Sequence, residues 1–227
     1  LGLVGRNSEK GATVVSELIA ETGNESIKFF GADLSSMKSV YKLAEEIKQS
    51  YDSLDILLNN AGAYFSELTF SDEKIESTFA LNHLSYFYLT QLLLDMVKSE
   101  SPGRIINVAS MAHKNAKLDF NNIQMKQDFK GWTAYGRSKL MNIMFTYECH
   151  RRYSETGVTF NCLHPGFVDS NFGNNNVGFA RGSLNVAKSI FAINIEKGAQ
   201  TSVYLASSED VSGVSGKYFY KCKAIKS

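Results

Sequence analysis

The chain has 227 residues, 44% hydrophobic and 21% charged, with 24 basic and 23 acidic residues and a net charge of +1. This length suits one domain with a large core, and the composition is that of an ordinary globular protein. The charge balance, with no dense basic run, speaks against nucleic acid as a partner. No apolar stretch approaches the roughly 18 consecutive residues of a membrane span, and no signal peptide is visible.

Residues 1–5 read as the end of a buried strand with no initiator methionine, so the chain is expected to begin inside a longer protein. An anchor or targeting segment upstream of Leu1 would be invisible. Asn7 or Ser8 can cap the following helix and Gly23 can end it; Val14, Val15, Leu18 and Ile19 give it one apolar face. Residues 26–31 form a second short strand, closed by Asp33-Leu34-Ser35. Ser35 or Ser36 then opens a helix with Val40, Leu43, Ala44 and Ile47 on one side.

Residues 54–58 are an apolar run that suits a strand buried on both faces, and it ends in Asn59-Asn60-Ala61-Gly62. A long helical pattern spans residues 72–98, with Leu81, Leu84, Tyr88 and Leu92 as its inner stripe. Pro102-Gly103 breaks it. Residues 104–109 form another buried strand with Ser110 at its carboxyl end, and residues 111–131 read as a surface loop. Residues 132–153 are helical. Residues 158–163 are a strand ended by His164-Pro165-Gly166. The stretch 167–195 is rich in Asn, Gly and Phe; a helix over 196–207 and a last strand over 217–220 complete the chain.

Strands alternating with helices of this length imply right-handed crossovers and a parallel sheet covered on both faces. Ligands of such sheets lie outside the carboxyl ends of the strands. Arg6, Asp33, Asn60, Ser110 and Pro165 all follow strand ends. In Tyr135-Gly136-Arg137-Ser138-Lys139 the tyrosine and lysine share a helix face. An ammonium beside a phenol lowers the phenol's pKa, giving a proton donor and acceptor useful near neutral pH. Alone, such a pair reads more readily as a surface lysine beside a half-buried tyrosine.

Cys149, Cys162 and Cys222 show no metal-ligand spacing, which fits buried thiols in a reducing, intracellular and by default cytoplasmic setting. The scatter of His83, His113, His150 and His164 argues against a metal site. No G-x-S-x-G elbow supports hydrolase chemistry.

With these residues placed, the chain resembles the short-chain dehydrogenase/reductase family over nearly its whole length. Asp33-Leu34, Asn59-Asn60-Ala61-Gly62, Asn82 in Leu81-Asn82-His83-Leu84, Ser110 in Asn107-Val108-Ala109-Ser110, Tyr135 with Lys139, and Pro165-Gly166 carry the resemblance in that order. Ser138-Lys139-Leu140, His164-Pro165-Gly166, Gly198-Ala199-Gln200-Thr201 and the 25-residue step from Ser110 to Tyr135 are similar to the retinol-dehydrogenase branch. The resemblance implies a Rossmann-type doubly wound α/β fold in a single domain. For that branch it implies retinoid, steroid or xenobiotic carbonyl substrates.

The family's glycine-rich, phosphate-cradling turn is missing. Residues 1–5 match its second strand, so the chain is expected to be N-terminally truncated. Loss of the inner first strand would leave two strands with unpaired edges.

The resemblance assigns roles. Tyr135 is the general acid or base, Lys139 lowers its pKa and holds the cofactor ribose, and Ser110 donates to the substrate oxygen. Asn82 sits at a helix irregularity and ties a water to Lys139; an asparagine bonding local backbone is the other reading. Arg6 accommodates the 2′-phosphate of NADP, which is preferred over NAD; a solvated arginine is the alternative. Asp33 and Leu34 line the adenine, unless Asp33 caps the next helix. Asn60, Ala61 and Gly62 pass the ribose, unless they are only a strand-to-helix turn.

Pro165, Gly166 and Val168 lie along the nicotinamide, and Ser170 stands where the family has threonine. Residues 171–193 form the substrate lid, where Phe172, Phe179 and Phe191 suit an apolar ligand or the core. The expected activity is hydride transfer between NADP(H) and a carbonyl or alcohol of a small or lipid-like substrate. The missing turn motivates the alternative, a non-catalytic binding or scaffold protein on the same fold. Related enzymes pair through the helices of Asn82 and Tyr135, and the branch includes monomers, so a homodimer and a monomer both stay open.

Overall fold

Short-range signals set the first helices. The Asn7 side chain accepts the Lys10 N–H and opens α1 (Ser8–Thr22), and Gly23 closes it at φ 69°, a left-handed conformation that suits a residue without Cβ. Ser36 accepts the Ser39 N–H and opens α2 (Met37–Ser50), which buries Val40, Leu43, Ala44 and Ile47, the expected stripe. The computed structural model describes residues 1–98, 103–166, 168 and 194–227. Ser170 and the expected lid over residues 171–193 lie outside the described residues.

Strands β1 (Gly2–Gly5) and β2 (Lys28–Gly31) pair in parallel as a two-stranded sheet. Strands β3 (Ile56–Asn59), β4 (Arg104–Val108), β5 (Thr159–Leu163) and β6 (Lys217–Tyr220) follow one another in parallel in a second sheet. Between them run α3 (Ser77–Phe79), α4 (Ser85–Lys98), α5 (Gly131–Tyr153) and α6 (Ile195–Ser207). The expected single sheet is therefore in two parts. Among the described residues β1 pairs only with β2 and β3 only with β4, because no strand joins their facing ladders.

The core has two main layers about the larger sheet. On one face Leu94, Val97, Phe145 and Cys149 from α4 and α5 pack on Ile105 and Phe160. On the other, Leu205 from α6 packs with Ile106, Val108, Leu163 and Phe219. The alternation of Ile105 and Ile106 between the two layers is the period-two pleat of a strand covered on both sides. Residues 54–58 do not meet that expectation. Ile56 and Leu58 are 41% and 40% exposed, because β3 has a neighbour on one side only.

Two further differences have local causes. The helical run before Lys98 contains a π-helical turn, Ala80–Leu84. One extra residue in a turn rotates everything after it by about 100°. The inner stripe accordingly moves one place along, from the expected Leu84, Tyr88 and Leu92 to Ser85, Leu89 and Leu93. The chain also continues past β6 into β7 (Lys223–Ile225), antiparallel to it. The two-residue connection puts Lys221 and Cys222 at φ 48° and 59°. Hairpin turns of this length need positive φ, and Lys-Cys carries none of the Asn-Gly signal that announces one. Among the described residues no helix is long and apolar enough to cross a membrane.

Candidate active site

β4 ends at Val108, and Ser110 follows two residues later in extended backbone, φ −157° and ψ 155°. Its hydroxyl accepts the Ala112 N–H at 3.3 Å and caps the 3-10 turn Met111–Asn115, which interrupts the expected loop. Its carbonyl accepts from His113 Nδ1 at 2.6 Å. A carbonyl can only accept, so Nδ1 of His113 carries the proton. The Ser110 side chain lies near enough to Tyr135 on α5 to lower its phenol's pKa. The two segments meet because residue 136 has no side chain: a Cβ there would lie 2.8 Å from the Ala112 carbonyl oxygen.

Tyr135 and Lys139 lie on one face of α5, both buried. Burial pushes the Tyr135 phenol up to about 12, against the lowering effect of the Ser110 side chain. Burial also pulls Lys139 down to about 7. Its Nζ donates to the Val108 carbonyl at 3.0 Å and stands 5.8 Å from the Tyr135 ring centre. Loss of water opposes the charged form of both groups.

Asn82 lies inside the π turn, fully buried, so the expected helix irregularity is present. Its side chain donates to the Ala63 carbonyl and accepts the Ala63 N–H, both at 2.9 Å. The partner is backbone 19 residues away in sequence, so the asparagine clamps the loop after β3 rather than its own helix. That loop passes close. A Cβ on Gly62 would meet Asn82 Oδ1 and Lys139 Nζ, each at 3.3 Å. Tyr86 donates to the Ala61 carbonyl at 2.8 Å.

Sequence reasoning missed what stands behind these residues. Asn59 donates to Asn107 at 2.9 Å and to Thr90 at 3.0 Å, and Asn107 donates to Thr146 at 3.0 Å. Thr146 donates to the Asn142 carbonyl at 2.8 Å, and Asn142 donates to the Asn82 carbonyl at 2.8 Å. All six are buried. Buried polar groups persist only when partnered, so the chain of bonds fixes the π turn and α5 against β3 and β4. The visible signal was an asparagine at 107 inside an apolar strand. Asn142 also bonds His83, whose pKa burial pulls down to about 4 against that hydrogen bond.

The remaining expected residues fall on the same strand ends. Arg6 and Asn60 are exposed after β1 and β3. Asp33 Oδ1 accepts from the Ser35 N–H and hydroxyl, while Ser36 caps α2, so Asp33 is a turn former and not the cap. Leu34 packs against the core beneath α2. Pro165 and Gly166 are half-buried, with Gly166 at φ 88°. Val168 touches α6 where Gly198 leaves room: a Cβ there would lie 2.6 Å from Val168 Cγ2. The residues present offer a dinucleotide contacts at its two ends: the Gly62 backbone passes close to Lys139 Nζ, and charged side chains stand at the ends of β1 and β2. No glycine-rich turn for its diphosphate follows a strand in this sequence.

The chain matches the short chain dehydrogenase family model over residues 1–178 and belongs to that family. It is 42% identical over 193 residues to retinol dehydrogenase 14 of Mus musculus, covering 84% of this chain and 58% of that protein. It is 39% identical over 217 residues to the Homo sapiens protein of the same name, covering 95% of this chain and 62% of that one. The chain thus spans about three fifths of the length of these curated relatives. A short chain dehydrogenase from Burkholderia cenocepacia J2315, solved in complex with NADP, superposes with a TM-score of 0.72. That match covers 96% of this chain and 84% of the other at 21% identity, and it shows likeness of fold.

Proposed function

We propose that the chain is the catalytic part of an NADP(H)-dependent oxidoreductase interconverting a carbonyl and an alcohol on a small or lipid-like substrate. The observation that carries this reading is the close meeting of the Ser110 segment with α5 at Gly136, which sets Ser110 beside Tyr135 at the carboxyl end of β4, with Lys139 buried one turn along α5. When bound, the nicotinamide supplies or takes the hydride. Ser110 donates to the substrate oxygen and stabilises charge that develops there. Tyr135 is kept neutral at physiological pH by burial, so it gives its proton to that oxygen in reduction and takes it back in oxidation. Lys139, titrating near 7, restores that proton, and Asn82 holds the loop beside it.

Arg6 would hold the 2′-phosphate, Asp33 and Leu34 the adenine, and Asn60, Ala61, Gly62 and Lys139 the ribose. Pro165, Gly166, Val168 and Ser170 would hold the nicotinamide end. The names of the retinol dehydrogenases support a lipid-like alcohol or aldehyde, and the NADP complex of a fold relative supports the cofactor. The unpaired thiols of Cys149, Cys162 and Cys222 support an intracellular site of action.

The test is NADPH oxidation with an aldehyde by the chain and by Tyr135→Phe. The variant is expected to lose turnover by roughly 100-fold or more while NADPH still raises its melting temperature. Near-normal turnover sinks the mechanism. If neither NADPH nor NADH shifts the melting of the unaltered chain, the non-catalytic reading takes its place.

A further inference from the structure

The side chain three residues after Ser110 takes no part in the proposed proton transfer, yet it is bound to Ser110 itself. His113 gives the Ser110 carbonyl two hydrogen bonds, from its backbone N–H at 3.2 Å and from Nδ1 at 2.6 Å. Its own carbonyl accepts the Ala116 N–H at 2.9 Å and closes the 3-10 turn Met111–Asn115. That turn carries the Ala112 N–H onto the Ser110 hydroxyl oxygen. A hydroxyl has one proton to donate and accepts through its lone pairs. With the Ala112 N–H on its oxygen, Ser110 keeps its proton for another acceptor.

The imidazole is seated for this. His113 is buried, and its ring meets Tyr218 of β6 edge-on at 5.2 Å and 74°. Tyr218 in turn packs among Ala109, Ile143 and Cys162. His164 stacks on the same tyrosine ring at 5.7 Å and 27°, and its Nδ1 accepts the Gly166 N–H at 3.3 Å. Among the described residues nothing bonds His113 Nε2, although it is buried. A phenyl ring would fill the same space without the cost of an unpaired nitrogen. What the imidazole adds is the Nδ1 proton.

We infer that His113 is a positioning residue for the proposed reaction: its Nδ1–H bond to the Ser110 carbonyl holds the Ser110 hydroxyl in the orientation that donates to the substrate oxygen. The inference rests on the reading of Ser110 given above. Hydrogen bonds within a 3-10 turn have poor geometry. Without the imidazole bond the turn frays, the Ala112 N–H leaves the hydroxyl, and the hydroxyl turns among its rotamers. The donor must then be oriented afresh at each turnover. That loss falls on the charged transition state more than on the bound ground state.

The test compares His113→Phe, His113→Gln and His113→Asn in the full chain, by NADPH-dependent turnover of an aldehyde. Phenylalanine keeps the ring, and glutamine sets its amide where Nε2 stood; neither donates from the Nδ1 position. Asparagine does. The Phe and Gln variants are expected to lose roughly ten-fold in kcat with KM for NADPH unchanged, and the Asn variant to recover most of that loss. If the Phe variant folds poorly, the Gln variant carries the comparison. Added to Ser110→Ala, His113→Phe is expected to cost nothing more, because an effect that passes through Ser110 has nothing left to act on. Equal losses in all three variants, or a loss that adds to that of Ser110→Ala, would overturn the inference. Hydrogen exchange at the Ala112 amide, whose acceptor is the Ser110 hydroxyl, reads the positioning without any turnover. It is expected to quicken by a similar factor in the Phe and Gln variants and to stay slow in the Asn variant. If the unaltered chain turns over no aldehyde, the proposed activity fails and the exchange alone decides: unchanged exchange in the Phe and Gln variants overturns the positioning role, and the expected pattern supports it.

Discussion

β3 and β5 belong to one sheet, and both come from apolar runs of similar length, but they live in different environments. β5 buries all five of its residues, with β4 and β6 on either side and α5 and α6 over its faces. β3 leaves Ile56 and Leu58 about two fifths exposed, with β4 as its one strand neighbour among the described residues. The residues proposed for chemistry follow the same division. Ser110, Tyr135, Lys139 and Asn82 hang on the buried side and are held by the asparagine and threonine bonds. Arg6 and Asn60, proposed for the cofactor, stand exposed at the ends of β1 and β3. The residues proposed to handle the proton are preorganised by the core, and those proposed to choose the cofactor are carried on the surface.

The largest expected effect tests the buried side. Phe160→Ala on β5 removes a fully buried ring and is expected to cost about 3–5 kcal/mol. The denaturant midpoint should fall with its slope unchanged. A loss under about 1 kcal/mol would erase the distinction between the two strands.

Next comes pH. Lys139 titrates near 7 in the folded chain against an ordinary 10.5. Between those values the unfolded chain holds the extra proton, so stability rises with pH from about 7 towards 10.5. Tyr135 works in the opposite sense at higher pH. Its folded value near 12 exceeds the ordinary 10.0, so the unfolded chain ionises first and stability falls from about 10 to 12. Melting temperature should therefore climb above neutrality and turn over near pH 10. Lys139→Met should flatten the climb and raise stability at pH 7 by on the order of 2 kcal/mol. A flat profile in the unaltered chain would show that solvent reaches the amine.

The smallest effect on the fold belongs to the exposed side. Arg6→Ala should change stability by less than about 0.5 kcal/mol and weaken NADPH about tenfold more than NADH. Equal losses for the two cofactors would remove the proposed phosphate contact and, with it, the division of labour between core and surface.

Much of this was legible in short-range patterns. Asn7, Ser36 and Gly23 cap or close the helices that their residue types announce. Ser110 and the Tyr135–Lys139 pair lie at the strand end and helix where hydrophobic runs and spacing put them. The π turn was not legible in the same way. Leu81 and Leu84 fit an ordinary helical stripe, and only the clamp between Asn82 and Ala63 reveals the extra residue. The stack of Trp132 on Tyr64 joins residues 64 and 132, and what permits it is the missing side chain of Gly131, which by composition alone reads as a helix breaker.

By itself the sequence determined the alternation of strands and helices, the helix caps and the row of polar residues at the strand ends. These depend on neighbours within a turn or a pleat, where propensity, capping and periodicity act. Only the tertiary structure decided which apolar strand is buried, which carbonyl holds Lys139, and which way the pKa values of Tyr135 and Lys139 move. Those depend on what packing removes from water, and desolvation is a property of the assembled fold that no local spacing encodes.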